Sequence, residues 1–310
     1  MEEIKVFAPA TVANVACGYD VLGFAMKDIG DTLIVKKKPS KTWEIENGVG
    51  CEGLPTDPKI NVIGVAVTAL LNTLGRDIDF GFKFEVSKNI KAGSGLGSSA
   101  SSSSAAVFGV NQLLGAPFTK KELIPFAMEG ERAASGSAHA DNVAPCLLGG
   151  FTLVRSYDPL DIISLDYPDS LYVSVVHPQI EIKTSDSKKI IKQEIPLSDA
   201  IIQLGNLGGL VAGLAQSDYD LISRSLKDVI AEPARSILIP LFKEAKKIAI
   251  NEGALGGSIS GSGPSIFALS TSKNIAQKIA TSLDKLYTTN GMRAHVYFSN
   301  INTKGTVVIS

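Results

Sequence analysis

Gly93-Ser94-Gly95-Leu96-Gly97-Ser98-Ser99 is the segment whose residue types most plainly suit chemistry. It lies between a predicted strand and a predicted helix. Its glycines let the backbone approach a ligand closely and take positive φ. Free amides at the mouth of the following helix, with the positive end of its dipole, favour a bound phosphate. The Ser98 and Ser99 hydroxyls can reach phosphate or a magnesium ion. No lysine completes a Walker A loop, and serine at position 98 breaks a GxGxxG dinucleotide fingerprint. The plain alternative is a flexible turn before a surface helix; the placement between strand and helix favours phosphate.

Three further groupings stand out. Asn14 and Asp20 sit in an otherwise charge-free run of small and apolar residues. By themselves they read as turn formers, with ligand binding as the second reading. Leu123, Ala127 and Glu131 follow each other at i, i+4, i+8, which puts the Glu131 carboxylate on an apolar helix stripe. Such a carboxylate needs a cation or a donor; Arg132 is one partner and Mg²⁺ the other. His139, Asp141 and Asn142 follow a Ser/Gly turn, where a lone histidine is more often structural than catalytic. Finally, Ser260-Gly261-Ser262-Gly263-Pro264-Ser265 reads as a tight hairpin. Two glycine-rich loops in one chain suggest backbone packed around a common ligand.

The elements that must hold these residues alternate irregularly. Phe80, Phe82, Phe84 and Val86 alternate with Gly81, Lys83 and Glu85, a strand of period two. Further strands are expected over 31–36, 151–155, 171–177, 266–269 and 294–298. Helices are expected over 61–74, 98–114, 120–134, 239–252 and 274–286. Thr119 and Glu122 form a capping box for the third helix, and Gly253 follows the fourth. The mixture lacks a regular βαβ rhythm and predicts an α+β fold. A soft boundary near Asp158 divides the chain into 1–157 and 158–310.

The 310 residues suffice for two domains with real cores, and a net charge of −1 gives no basic field for nucleic acid. The three cysteines are odd in number and widely spaced, which supports neither a disulfide framework nor a zinc site and fits a reduced, cytoplasmic protein. The start of the chain does not read as a secretion signal. The uncharged apolar stretch 200–216 falls short of the roughly 20 apolar residues of a bilayer span. It is read as a buried helix with loose glycine packing, so no membrane partner is expected.

Taken together and in this order, the motifs resemble the GHMP kinase superfamily and, within it, the homoserine kinases. Pro9-Ala-Thr-Val-Ala-Asn-Val-Ala-Cys-Gly-Tyr-Asp20 is similar to that family's PATSANLGPGFD, Gly95 to Ala100 to its GLGSSA, and Ser260 to Ser265 to its SGSGPS. The stretches His139 to Pro145 and Glu232 to Pro240 narrow the resemblance to homoserine kinases. Where the family carries Thr-Ala-Glu-Ala-Arg, this chain has Thr184-Ser-Asp-Ser-Lys188. Lysine keeps the charge and loses the bidentate fork.

The resemblance implies a two-domain fold, with an N-terminal ribosomal protein S5 domain 2-like half and a C-terminal ferredoxin-like sandwich. It implies transfer of the γ-phosphate of ATP to the side-chain hydroxyl of homoserine, a step of threonine biosynthesis. ATP would lie along Lys91, Ala92, Gly93, Ser94, Gly95, Leu96, Gly97, Ser98, Ser99, Ala100 and Ser101, with adenine near Asn61 and Val62. Mg²⁺ would sit at Ser99 and Glu131. Asn14 and Asp20 would take the substrate ammonium, Lys188 and Arg235 its carboxylate, and His139 and Asn142 would stand near its alcohol. Asn142, His139 and Asp141 are the catalytic candidates, with transfer proceeding without a protein base. A homodimer is a weak implication. Rival readings are another small-molecule kinase of the superfamily and a silent nucleotide-binding regulator.

Overall fold

The computed structural model describes residues 2–75, 77–180, 182, 187 and 189–309. The first sheet is formed by β1 (Glu3–Ala13), β2 (Leu22–Lys38), β3 (Glu44–Asn47), β4 (Gly81–Ser87), β5 (Phe151–Tyr157), β6 (Leu160–Leu165) and β11 (Val307–Ile309). Its order is β11-β1-β2-β4-β3; β5 joins the other stretch of β2, and β6 joins β5. Four helices pack with it: α1 (Val62–Leu74), α2 (Ser98–Leu113), α3 (Lys120–Ser135) and α4 (Ala140–Leu148). The second sheet runs β10 (Ala294–Asn300), β7 (Tyr172–Pro178), β9 (Ile266–Ser270), β8 (Gly256–Ile259), antiparallel throughout. In chain order that is 4-1-3-2, the split βαβ arrangement of a ferredoxin-like sandwich. Its helices are α5 (Leu197–Gln216), α6 (Tyr219–Ser225), α7 (Ala231–Arg235), α8 (Phe242–Asn251) and α9 (Lys273–Thr289).

Local chemistry explains the ends that matter. Asn61 caps α1 by accepting from the Ile63 amide at 2.9 Å, and Gly75 leaves it at φ 67°. Thr119 and Glu122 close the expected capping box on α3. The mouth of α2 is different: its N-cap is Gly97, left-handed and without a side chain to satisfy the first amides. Small residues fill the buried faces of α2, so the helix lies close on the sheet. One core lies between the first sheet and α1–α4, another between the second sheet and α8 and α9. A third joins the halves through Phe24, Phe151, Val173, Leu210 and Phe267.

Several expectations change. The break at 157/158 falls inside a hairpin of the first sheet, because β6 pairs with β5; the last strand, β11, also returns to that sheet beside β1. The Ser/Gly turn is followed at once by a helix, with Asp141 and Asn142 in the first turn of α4. The fourth expected helix starts at Phe242, three residues late, because Leu241 takes φ 60°. The apolar stretch expected to be buried is α5, and only Gln203, Leu210, Gly213 and Leu214 of it are buried. By length and composition α5 could cross a membrane.

Candidate active site

Three chain segments are knotted together by their own backbones. The Thr11 amide donates to Leu96 O at 3.1 Å, and the Gly261 amide donates to Ala13 O at 3.2 Å. The Ser260 hydroxyl donates to Gly95 O at 2.7 Å. Gly95 and Gly97 have φ of 79° and 69°. A Cβ on Gly95 would stand 2.5 Å from Ser260 O, and one on Gly97 would stand 2.1 Å from Thr11 Oγ1. Both glycines are therefore required for contact as well as conformation. The result is a cleft of about 440 Å³ into which the uncapped mouth of α2 opens.

Asn61 and Val62 line the cleft with Asn47, Leu54, Pro55 and Ile60. The loop lines it through Ala92, Gly93, Ser94, Gly95, Gly97, Ser98 and Ser99, and so does Glu131. Asn14, Asp20, His139, Asp141, Asn142 and Arg235 line it as well. Asn14 Nδ2 and Arg235 Nη1 both donate to Gly261 O, at 2.8 and 3.0 Å. Asn14 Oδ1 accepts from the Asp20 amide at 3.0 Å, so the turn role and the site role of Asn14 coincide. Arg235 also donates through Nε to Ser187 O at 3.1 Å and lies 5.2 Å from the centre of the Tyr19 ring.

Charge around Asp20 and Asp141 is shaped by burial. His139 Nδ1 stands 3.6 Å from Asp20 Oδ1. Asp141 is buried, and desolvation, with the negative charges of Asp20 and Glu131 nearby, pushes its carboxyl up to about 8. Asn142 Oδ1 accepts the Thr11 hydroxyl at 2.7 Å, which commits its carbonyl and leaves its NH₂ as the group it can offer a ligand.

Not every expected residue reaches the cleft. Leu96, Ala100 and Ser101 turn into the protein; Leu96 and Ala100 pack in its cores, and the Ser101 hydroxyl donates to Ala8 O. Lys91 is exposed and donates to Gln179 Oε1 at 3.3 Å instead of lining the cleft. Arg132 pairs with Glu129, one turn back on α3. Lys188 lies outside the described residues.

Residues with no expected role carry much of the scaffold. Lys88 Nζ donates to Asp31 Oδ2 at 2.6 Å, Ser98 O at 2.9 Å and Ser102 Oγ at 2.8 Å. Asp31 Oδ1 accepts from the Asn89 and Ile90 amides at 2.8 and 2.9 Å. The pair thus ties β2 to both ends of the loop. Gln203, buried on α5, donates to Cys17 O and Asp228 Oδ1 at 3.0 and 3.1 Å. Asp228 in turn accepts from the first amides of the α7 turn that carries Arg235. A charge inside an apolar strand pattern was the available signal for Asp31. Nothing local marks Gln203.

Oxygen donors suited to a hard cation stand beside the α2 mouth in Glu131 and Ser99. Among the described residues no three His, Cys, Asp or Glu side chains gather to hold a metal alone. Mg²⁺ does not need such a cage; it takes one or two carboxylates and completes its shell with phosphate oxygens and water. The donor set fits it.

Comparison with known proteins agrees with this geometry. The model of the GHMP kinases N terminal domain matches residues 61–150, and that of the GHMP kinases C terminal domain matches residues 210–289. The chain is 48% identical over 320 residues to a homoserine kinase of Chloroherpeton thalassium, covering 100% of both. It is 45% identical to one of Chlorobaculum tepidum, covering 100% of this chain and 99% of the relative. A crystal structure of homoserine kinase from Cytophaga hutchinsonii superposes with a TM-score of 0.96 at 52% identity, over 100% of this chain and 98% of that one.

Proposed function

The chain belongs to the homoserine kinases of the GHMP kinase superfamily, ATP-dependent phosphotransferases, and from that membership we propose how its cleft moves the γ-phosphate of ATP to the side-chain hydroxyl of L-homoserine, giving O-phospho-L-homoserine. One observation carries the reading: the uncapped mouth of α2 opens on the same cavity as Asn14, Asp20 and Arg235. A triphosphate and a zwitterionic alcohol can therefore lie side by side.

The phosphates would rest on the amides from Gly93 to Ser99, with adenine against Asn61 and Val62. The substrate ammonium would face Asp20, held in place by Asn14, and the carboxylate would face Arg235. Lys188 is kept from the sequence as a second cation. His139 and the Asn142 amide would border the hydroxyl. Glu131 and Ser99 would hold Mg²⁺, which when bound neutralises phosphate charge. Three free cysteines fit a cytoplasmic enzyme.

Transfer needs no protein base. The Asn142 carbonyl is already committed to Thr11, and an amide does not take up a proton usefully. Asp141, with its carboxyl pushed up to about 8, is largely protonated at neutral pH. Phosphoryl transfer through a loose transition state runs on positioning and charge neutralisation. The hydroxyl proton then leaves to the γ-phosphate or to water. Asp141→Asn should therefore cost less than about tenfold in kcat. A loss above about a thousandfold, with fold and binding intact, would restore Asp141 as the base. The same carboxyl, raised above its ordinary 3.8, stabilises the fold while protonated. Stability of the ligand-free protein should fall as pH rises from about 4 to 8, and Asp141→Asn should flatten that slope in urea melts.

For Glu131→Gln, the magnesium concentration giving half-maximal turnover should rise at least about tenfold. An undisturbed magnesium titration would remove Glu131 from the metal site. The whole reading is tested by phosphorus NMR of the protein with MgATP and L-homoserine. A new phosphomonoester resonance is expected. ATP binding without one, on homoserine or on a panel of other alcohols, would favour a silent regulator; a phosphomonoester from another alcohol alone would favour a different kinase.

A further inference from the structure

Tyr157 closes β5 and does not line the cleft, yet its hydroxyl joins two segments that do. It donates to Asp20 O at 2.7 Å and accepts from the Ala140 amide at 3.3 Å. A phenol has one proton to give and lone pairs to receive with, so a single oxygen makes both bonds. Burial pushes this phenol well above its ordinary value, and the proton stays in place at any working pH.

The two segments differ in how firmly they are held. The mouth of α4 is the rigid one. Asn142 is tied to β1 through the Thr11 hydroxyl. The backbone of Asp141 lies so close to Gly23 that a Cβ there would stand 1.8 Å from Asp141 O. The N-cap, His139, makes no side-chain cap bond, and Tyr157 supplies an acceptor to the first helical amide instead. The turn that carries Asp20 is the strained one. Asn14, Val15, Ala16 and Asp20 have φ of 69°, 39°, 60° and 57°, all in the left-handed region that favours glycine. Such backbone persists only where its surroundings over-determine it. Asn14 holds one side of the turn, through Gly261 O and the Asp20 amide. Tyr157 holds the other, at the carbonyl of Asp20 itself.

We propose that Tyr157 is a positioning residue: it fastens Asp20 to the fixed mouth of α4 and so sets the span between the ammonium anchor and the hydroxyl site beside His139 and Asn142. The proposal rests on the functional reading above and adds a chain-length gauge to it. L-Homoserine carries its hydroxyl on the γ-carbon, and L-serine carries it one methylene nearer the ammonium. With Asp20 held in place, serine bound through its ammonium leaves its hydroxyl short of the γ-phosphate. A misplacement of about 1 Å can cost about a hundredfold in rate. Without the phenol oxygen the strained turn can shift against α4. Homoserine then loses its alignment, and serine has none to lose.

Tyr157→Phe keeps the ring and removes only the oxygen, at a side chain 40% exposed. Its thermal melt should stay within about 4 °C of the natural chain. With ADP release as the assay, kcat/KM for L-homoserine should fall at least about tenfold and that for L-serine less than about threefold. The homoserine-to-serine ratio therefore drops. The KM for ATP should stay within about twofold, because the two bonds of Tyr157 go to Asp20 and Ala140 and not to the loop. A ratio that holds, or serine turnover too slow to detect in the variant, overturns the proposal. Equal losses on both alcohols with a raised KM for ATP would mean that Tyr157 only braces the fold, and would overturn it too. A natural chain that forms no phosphomonoester from homoserine sinks the functional reading and the gauge together. A natural chain that forms it, with Tyr157→Phe indistinguishable, sinks the gauge alone.

Discussion

Lys88→Met should lose about 3–5 kcal/mol of unfolding free energy, the amount that stranding one partner of a buried ion pair costs. Lys88 and Asp31 have side chains only 2% and 3% exposed, so water cannot take over for the missing ammonium. The carboxylate left behind would keep its two amide donors from Asn89 and Ile90 and lose its counter-charge. Ser102 Oγ would lose the Lys88 donor at the same time, and Ser98 O would keep only the longer bond from Ser102 Oγ among its side-chain donors, at the point where α2 begins. The effect on activity follows from that position. With the ammonium gone, the loop from Asn89 to Gly97 is tied to β2 only through amides, and the KM for ATP should rise more than about tenfold. Adding Asp31→Asn to Lys88→Met should recover part of the stability, because removing both charges costs less than orphaning one. Urea melts of the two single variants and the double variant measure this. A single variant as stable as the natural chain would show that the pair does not hold the loop.

That pair also shows what sequence could and could not supply. The α2 mouth was legible because glycines and serines between a strand and a helix have few other uses. Asn14, Asp20 and Arg235 were assigned through the family resemblance and Glu131 through its place on an apolar helix stripe, and all four line one cleft. Lys88 and Gln203 were not found, because their partners lie 57 residues away at Asp31 and 186 and 25 residues away at Cys17 and Asp228. A long-range hydrogen bond leaves no periodic trace. The same limit explains the domain boundary. A turn of Tyr157, Asp158 and Pro159 looks alike whether it joins two domains or two strands of a hairpin, and only the pairing of β5 with β6 decides. For α5 the period was right and the environment wrong. Apolar content says that a face avoids water; it does not say whether the chain itself provides the cover.

Arg235→Ala should raise the KM for homoserine by about 30-fold or more, since truncating one member of a buried, hydrogen-bonded charge pair costs about 2–5 kcal/mol and each 1.4 kcal/mol is tenfold. The guanidinium is only 3% exposed. Its Nε and Nη1 are spent on Ser187 O and Gly261 O, and the Tyr19 ring lies beside it. These contacts fix the plane and leave the remaining N–H groups for a ligand carboxylate. The KM for ATP should change less than about threefold, because the loop and α2 do not depend on Arg235 for their hydrogen bonds. Two controls separate recognition from damage. Arg235→Lys should recover only part of the loss, since an ammonium restores charge without the fork. With homoserinol, which has an alcohol in place of the carboxylate, the natural chain and Arg235→Ala should differ little, because the partner charge is absent from both. An unchanged homoserine KM in Arg235→Ala, or an equal penalty with homoserinol, would mean that Arg235 braces Gly261 and Ser187 and that the carboxylate is held elsewhere.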